Sequence, residues 1–245
     1  IDEALRKSTL GAILSNQKIQ AYNNDSTAIV FDMSSVFLGD NKKMSPFDKN
    51  SIYGMYNRTE NYQSDCSYIS QIKAFKDNVS IKSCLSYTFS VSNSQGTSLI
   101  KDRPFTAEMT RSIMLLKEKP YRPRMADYRI GVFFTGREQL GEGAKTTAPV
   151  YYANRWDIQP SDTAAYLRGE KVKPTKQIVF YIDNTFPEKW KPYLREGVTQ
   201  WNELFEQIGF KDVVAAKDFP TDDPEFDPDN IKYSCVRYAP SSIEN

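Results

Sequence analysis

The densest set of potential ligand groups in this 245-residue chain is Asp222-Asp223-Pro224-Glu225-Phe226-Asp227-Pro228-Asp229, which holds five carboxylates. Alternating acids can wrap a calcium ion, because a hard cation takes many oxygens from a flexible loop. Here Pro224 and Pro228 stiffen the segment and the glycine of an EF-hand turn is missing, so a solvated acidic loop is expected. Cys66, Cys84 and Cys235 are odd in number and unclustered. They suit neither a disulfide framework nor a zinc knuckle. Three unpaired thiols are expected, with a Cys66–Cys84 bridge as the alternative in an oxidising compartment. The chain contains no histidine, which removes Ser-His-Asp and Cys-His nucleophile pairs, imidazole metal sites and His-based proton transfer. Gly141-Glu142-Gly143 lacks a preceding buried strand, a third glycine and a Lys-Ser/Thr pair, so it makes a poor phosphate loop. No carboxylate pair stands out on a glycosidase-like scaffold. The residues therefore name no catalytic, cofactor-binding or metal-binding position. Tyr53, Tyr56, Tyr62 and Tyr68 can offer stacking surfaces to a protein or glycan, or can simply pack a loop. The glycosylation triplets at Asn24, Asn57 and Asn78 are short enough to arise by chance and carry no weight.

The charges balance, with 32 Lys+Arg against 31 Asp+Glu. A net charge of +1 gives no general basic field for a phosphate backbone, so no nucleic-acid partner is expected, even for the basic stretch Lys117 to Arg124. Apolar residues at 40% and charged residues at 26% are ordinary for a globular protein. The length suits one large domain or two modest ones. No apolar run is long enough to span a bilayer. The start, Ile1-Asp2-Glu3-Ala4-Leu5-Arg6-Lys7, is not a signal peptide and has no initiator Met, so a processed product or an excised piece is expected.

Stepping along the chain, a polar extension over residues 1–25 gives way to a short strand at Ala28–Asp32 and a turn over Met33–Asp40. Residues 41–66 have little period and read as a surface loop. The clearest strand lies at 79–91, where Val79, Ile81, Leu85, Tyr87, Phe89 and Val91 alternate with polar residues. Cys84 falls on its polar side. Tyr68–Phe75 is its expected neighbour across a turn at Lys76-Asp77-Asn78, and Thr106–Leu116, Arg129–Phe134 and Val150–Trp156 read as further strands. Pro120 and Pro123 make the basic stretch extended. Past Pro160 the pattern changes. Ser161-Asp162 caps a short helix through Leu167, and the polar, Pro174-containing segment that follows marks the main boundary, at 170/171. Ile178–Ile182 is an apolar run suited to a buried strand. Thr185-Phe186-Pro187-Glu188 has the capping-box pattern. The helix it opens carries Trp190, Leu194, Val198, Trp201, Phe205 and Ile208 as a core-facing stripe, and Gly209 ends it. Asp212–Ala216 resumes a strand, so 177–216 is a strand–helix–strand unit.

These residues resemble a family. Val179-Phe180-Tyr181-Ile182-Asp183, Pro187-Glu188-Lys189-Trp190, Gly197, Trp201-Asn202-Glu203, Phe205-Glu206 and Gly209-Phe210-Lys211-Asp212 are similar to the opening of a metzincin-like catalytic domain. More narrowly, they resemble large bacterial secreted zinc-dependent metalloproteases in which an uncharacterised β-rich domain precedes the peptidase. Ile72-Lys73-Ala74-Phe75 with Asn78-Val79, Ser86-Tyr87, Pro120 to Arg124, Asp127 to Phe133, Tyr152 to Trp156 and Tyr233 to Tyr238 fit that arrangement. The resemblance implies an α+β chain: an N-terminal extension (1–25), a β-rich uncharacterised domain (26–170) and the first strand–helix–strand of a metzincin-like α/β peptidase domain (171–245). Such proteases hold zinc on an H-E-x-x-H helix, where two His grip the metal and the Glu activates water. Nothing here matches that motif, so no catalytic residue is carried over.

The resemblance therefore implies the non-catalytic N-terminal portion of a zinc-dependent metallopeptidase. Zinc would belong to the intact protein and no cofactor to this fragment. Its implied partners are the remaining catalytic half, a protein or peptide substrate, and a possible second copy through the truncated sheet. The implied location is secreted, periplasmic or on the outer surface of a bacterium. The alternative is a β-rich protein- or glycan-binding module with no enzymatic role. A regulatory variant has the Tyr121–Arg129 segment lying along the peptidase cleft.

Overall fold

The computed structural model describes residues 13, 15–40, 45–47, 56–118, 122–139 and 147–240. The architecture is mixed and mostly β, with a few short helices. The chain divides into two compact units, Ile1–Leu115 and Leu116–Asn245.

In the first unit, β1 (Ile19–Tyr22) and β2 (Ile29–Phe31) form an antiparallel hairpin. Ile19–Tyr22 is thus a paired strand and not part of a patternless extension. The side chain of Asn23 accepts the N–H of Ala28 at 2.7 Å and closes the turn. After β2 comes α1 (Ser34–Leu38), where a simple turn is expected from the sequence. Three long strands follow, β3 (Tyr56–Ala74), β4 (Asn78–Asn93) and β5 (Ser98–Met114), paired antiparallel in the order β3-β4-β5. The hairpin turn falls at Phe75 to Asp77, one residue earlier than the expected Lys76-Asp77-Asn78, because Asn78 already pairs as the first residue of β4.

From Ile81 to Tyr87 the alternation on β4 reads through into burial, whereas Asn78 and Ser80, on the side expected to be polar, are buried as well. Ile81, Leu85 and Tyr87 are buried, and Val36 and Phe37 of α1 pack against Ile81 together with Met33, Ile69 and Val79. Two side chains reach the carbonyls at the carboxyl end of α1, which a helix this short cannot satisfy internally. Tyr62 donates its hydroxyl to Leu38, and Arg111 donates Nη1 to Phe37 at 3.1 Å. Burial lowers the Arg111 guanidinium from its ordinary value, while Tyr87 and Tyr62 oppose that shift.

The expected loop over 41–66 needs correction. Residues 41–44 and 48–55 lie outside the described residues, but Tyr56–Cys66 belongs to β3. Within 45–47, Phe47 packs its ring on Tyr87 and Phe105, with centroids 5.0 and 5.4 Å apart. The strand has no apolar alternation because most of its side chains face water. Its order comes from backbone pairing with β4, which a local hydrophobic pattern cannot register.

Ser83 sits on the buried face of β4 with 0% exposure, and its hydroxyl has no hydrogen-bond partner among the described residues. A buried hydroxyl left unpaired costs free energy that an apolar group does not. Ser83→Ala is therefore expected to raise stability by about 1 kcal/mol. Urea unfolding followed by circular dichroism checks this, and a lowered midpoint would show that Oγ has a partner in solution.

The second unit opens with an antiparallel pair, β6 (Phe134–Gln139) and β7 (Ala148–Ala153). The strand expected at Arg129–Phe134 is corrected to begin at its last residue. The carboxylate of Asp127 holds the N–H of Arg129 at 3.0 Å and its Nε at 2.9 Å, so this stretch turns. Next, α2 (Thr163–Leu167) is capped by Asp162, which accepts the N–H of Ala165 at 2.9 Å. The expected cap is present.

A parallel sheet forms the remainder, with β8 (Ile178–Ile182) in the middle of the order β10-β8-β9. Two helices, α3 (Lys191–Thr199) and α4 (Asn202–Gln207), lead from β8 to β9 (Val214–Asp218), and β10 (Ser234–Val236) pairs parallel on the other side. Among the described residues, Ala165, Val172, Ile178, Phe210, Val213 and Val214 make its buried core, against which Val198 and Phe205 pack.

The expected single helix is thus two, separated at Gln200 and Trp201. Nor does Thr185 cap it; its hydroxyl donates to Asp183 at 2.8 Å instead. The aromatic stripe is only partly core. Val198 and Phe205 face the sheet, whereas Trp190, Ile208 and Trp201, the last at 59%, are exposed. The break between α3 and α4 interrupts the periodicity that would keep one continuous face inward. Asp212 has φ +55°, so the strand expected from Asp212 starts only at Val214.

The units divide at Leu115/Leu116, whereas the sequence places its boundary at 170/171. Ala165 and Val172 share a core with Ile178 and Val214, and Val172 exchanges backbone hydrogen bonds with Gly209 and Lys211. The polar segment around Val172 is packed, not a linker.

Candidate functional site

In an open parallel sheet the carboxyl ends of the strands are where ligand sites form. The same edge collects this unit's chemistry-bearing groups. Asp183 follows β8, Asp218 ends β9 and continues into the 222–229 loop, and Arg237 and Tyr238 follow β10.

Asp183 is 9% exposed. Its Oδ1 accepts the N–H of Thr185 at 2.9 Å and the Thr185 hydroxyl at 2.8 Å. Its Oδ2 faces the N–H of Tyr238 at 3.4 Å, and its own N–H donates to Val236 at 3.0 Å. Burial pushes this carboxyl up, but Thr185, Tyr238 and the Arg237 charge together outweigh burial and hold it below its ordinary value. Asn184 donates Nδ2 to the Phe219 carbonyl at 2.9 Å, linking the loops after β8 and β9. Arg195 of α3 reaches both oxygens of Asp218, at 2.7 and 2.6 Å.

The acidic loop is organised by its own backbone. Asp223 accepts the N–H of Glu225 at 2.9 Å and Asp227 accepts that of Asp229 at 2.8 Å, the short-range turn bonds that Asp favours. Between them Phe226 inserts among Phe219, Tyr233 and Tyr181, with centroids 4.9, 4.8 and 5.1 Å away. Asp229 lies 3.5 Å from Arg237. Among the described residues, no three His, Cys, Asp or Glu side chains come together as a metal-binding group.

All three cysteines are free thiols. Burial raises the Cys235 thiol on β10, although Arg237 opposes it, which disfavours the nucleophilic thiolate. Cys84 pairs in register with Tyr68; the hydrogen bond between their side chains is the main cause that raises the Tyr68 phenol. Tyr62 pairs with Tyr87, three residues from Cys84, so Tyr62 and Tyr68 face opposite sides of the sheet. Tyr53 and Gly141-Glu142-Gly143 lie outside the described residues.

Chemically, this edge fastens three loops to three strands. Asp183, Asp218 and Asp229 are each engaged by a neighbour, and the hydroxyl that Asp183 holds, Thr185, closes a turn with it. In the sequence Asp183 stands out only as the last residue of Val179-Phe180-Tyr181-Ile182-Asp183. The signal available was Asp-Asn-Thr directly after an apolar run, a turn-forming pattern. The Arg195–Asp218 pair joins residues far apart in sequence and leaves no local signal.

Since Asp183 has a folded-state value below its unfolded one, its contribution to stability is present above about pH 4 and is lost as pH falls through the depressed value. An amide keeps the acceptor for Thr185 but loses the carboxylate that faces Tyr238 and Arg237. Asp183→Asn should therefore cost about 1–2 kcal/mol at neutral pH. Parent and variant should converge in acid, and a pH series of urea midpoints measures the gap.

The family model for a domain of unknown function, DUF5117, matches residues 1–161. The chain belongs to the DUF5117 family. No curated protein and no solved structure matches it. The DUF5117 region spans β1 to β7, so the parallel sheet and its carboxyl edge lie beyond it.

Proposed function

We propose that this chain is the amino-terminal, non-catalytic portion of a bacterial zinc-dependent metallopeptidase, with a DUF5117 region ahead of the start of a metzincin-like peptidase domain. The intact protein hydrolyses peptide bonds with zinc-activated water, outside the cytoplasm or on the cell surface. Its catalytic portion and a protein or peptide substrate are the partners of this chain.

The observation that supports this reading is the parallel unit over 178–236. A helical connection joins β8 to a parallel β9, β10 adds a third parallel strand, and the residues similar to the opening of a peptidase domain lie on β8, its helices and their connections. The described residues do not themselves fit zinc. Histidine is absent, and no Cys, Asp and Glu trio converges among the described residues. The reading assigns the zinc ligands to polypeptide following residue 245.

Two measurements test it. The reading frame after Asn245 is expected to encode H-E-x-x-H with a further His downstream, and its absence overturns the reading. The full-length protein is expected to bind stoichiometric zinc and cleave casein, with cleavage abolished by Glu→Gln in that motif. Stoichiometric zinc on residues 1–245 alone would contradict the assignment.

A further inference from the structure

Residues 125–134 of the second unit hold an unusual concentration of exposed apolar side chains. Tyr128 is 98% exposed and Phe133 88%, and Met125, Ile130 and Phe134 are also exposed. The loop is nevertheless built. At its start Met125 bridges Tyr152 of β7, and Ala126 and Arg124 exchange backbone bonds with Tyr151 and Ala153 at 2.8 and 2.9 Å. At its end Phe133 accepts the N–H of Asn154 at 2.8 Å, and Phe134 pairs with Ala153 and packs on Tyr151 at 5.0 Å. Both ends are therefore fastened to one strand. The tip is closed by the Asp127–Arg129 ion pair and by the Ile130 N–H donating to Asp127 at 3.0 Å.

The surrounding charge is net positive. The stretch 122–139 carries Arg122, Arg124, Arg129 and Arg137 against Asp127 and Glu138, and Asp127 is occupied by Arg129. Arg122, Arg124 and Arg137 are exposed.

We propose that the Asp127–Phe133 loop docks the protein on an anionic lipid surface. Tyr128, Ile130 and Phe133 enter the interfacial layer while the flanking arginines meet lipid phosphates. Aromatic and aliphatic side chains beside arginines match a bilayer interface, where apolar burial and attraction to anionic headgroups act together. A protein partner fits less well, because hot-spot side chains at protein interfaces sit within a shielding rim of neighbours. The side chains of Tyr128 and Phe133 have almost no neighbours among the described residues. The proposal is independent of the metallopeptidase reading.

The test is co-sedimentation of the 245-residue chain with vesicles of phosphatidylcholine, with and without phosphatidylglycerol. Pelleting with the anionic vesicles, weakened by salt and much reduced with phosphatidylcholine alone, is the expected result. Tyr128→Ser with Phe133→Ser should reduce partitioning by at least about tenfold. The melting temperature should not change, because both rings are already in water. Arg122→Ala with Arg124→Ala should weaken binding and flatten its salt dependence. Failure to pellet with anionic vesicles overturns the proposal, as does a Tyr128/Phe133 variant that binds like the parent. Self-association lost in that variant, without vesicle binding, would reassign the loop to a protein interface and equally overturn it.

Discussion

Leu85→Ala is expected to destabilise the first unit by about 3–5 kcal/mol. The side chain is 0% exposed at the centre of the middle strand of the β3-β4-β5 sheet. Truncation removes buried methyl groups and leaves a cavity whose cost depends on how far neighbours can collapse. Collapse is hindered on both sides. The register partner on β5 is Ala107, too small to fill the space. On β3 the pairing is irregular between Gln63 and Tyr68, so no residue stands in register with Leu85. Urea unfolding read by circular dichroism measures the loss. Leu85→Met, which conserves volume, should cost below about 1.5 kcal/mol. Equal losses for the two variants would show that shape, and not a void, sets the effect.

Gly209→Ala should cost the second unit about 2–4 kcal/mol, from two separable sources. Gly209 ends α4 with φ +87°, a conformation that strains an L side chain. A Cβ there would also stand 2.9 Å from Cε2 of Tyr166. That ring is not free to swing away. Its hydroxyl donates to Ile208 at 3.0 Å and it packs on Phe210 at 5.1 Å. Gly209 in turn accepts the Val172 N–H at 3.1 Å, so movement of its backbone loosens the segment that brings Val172 into the core. Making Gly209→Ala in a Tyr166→Ala background separates the terms. The steric part should vanish and the backbone part, about 1–2 kcal/mol, should remain. Strict additivity would mean that the ring offers no obstacle.

Legibility in the sequence followed the range of the interaction. Asp162 capping α2 and Gly209 ending α4 were readable because each acts within a few residues. Thr185 misled for the same reason. Its spacing to Glu188 satisfies a cap pattern, but Asp183 lies closer and takes the hydroxyl. The exposed tip at Tyr128 and Phe133 was hidden because Arg129–Phe134 reads as a β-rich run. The short-range Asp127–Arg129 pair turns the chain there instead.

By itself, the sequence determined the elements whose cause is local. These are the alternating β4 with Ile81, Leu85 and Tyr87 inward, the apolar β8, and the balanced charge. The tertiary structure alone decided that the polar Tyr56–Cys66 is a strand, that Val172 belongs to the parallel-sheet core, and that Val198 is covered while Trp201 is not. Each of these depends on backbone pairing or side-chain contact with residues distant in sequence. A periodicity measures only which faces a segment has, and burial depends on what comes to cover them.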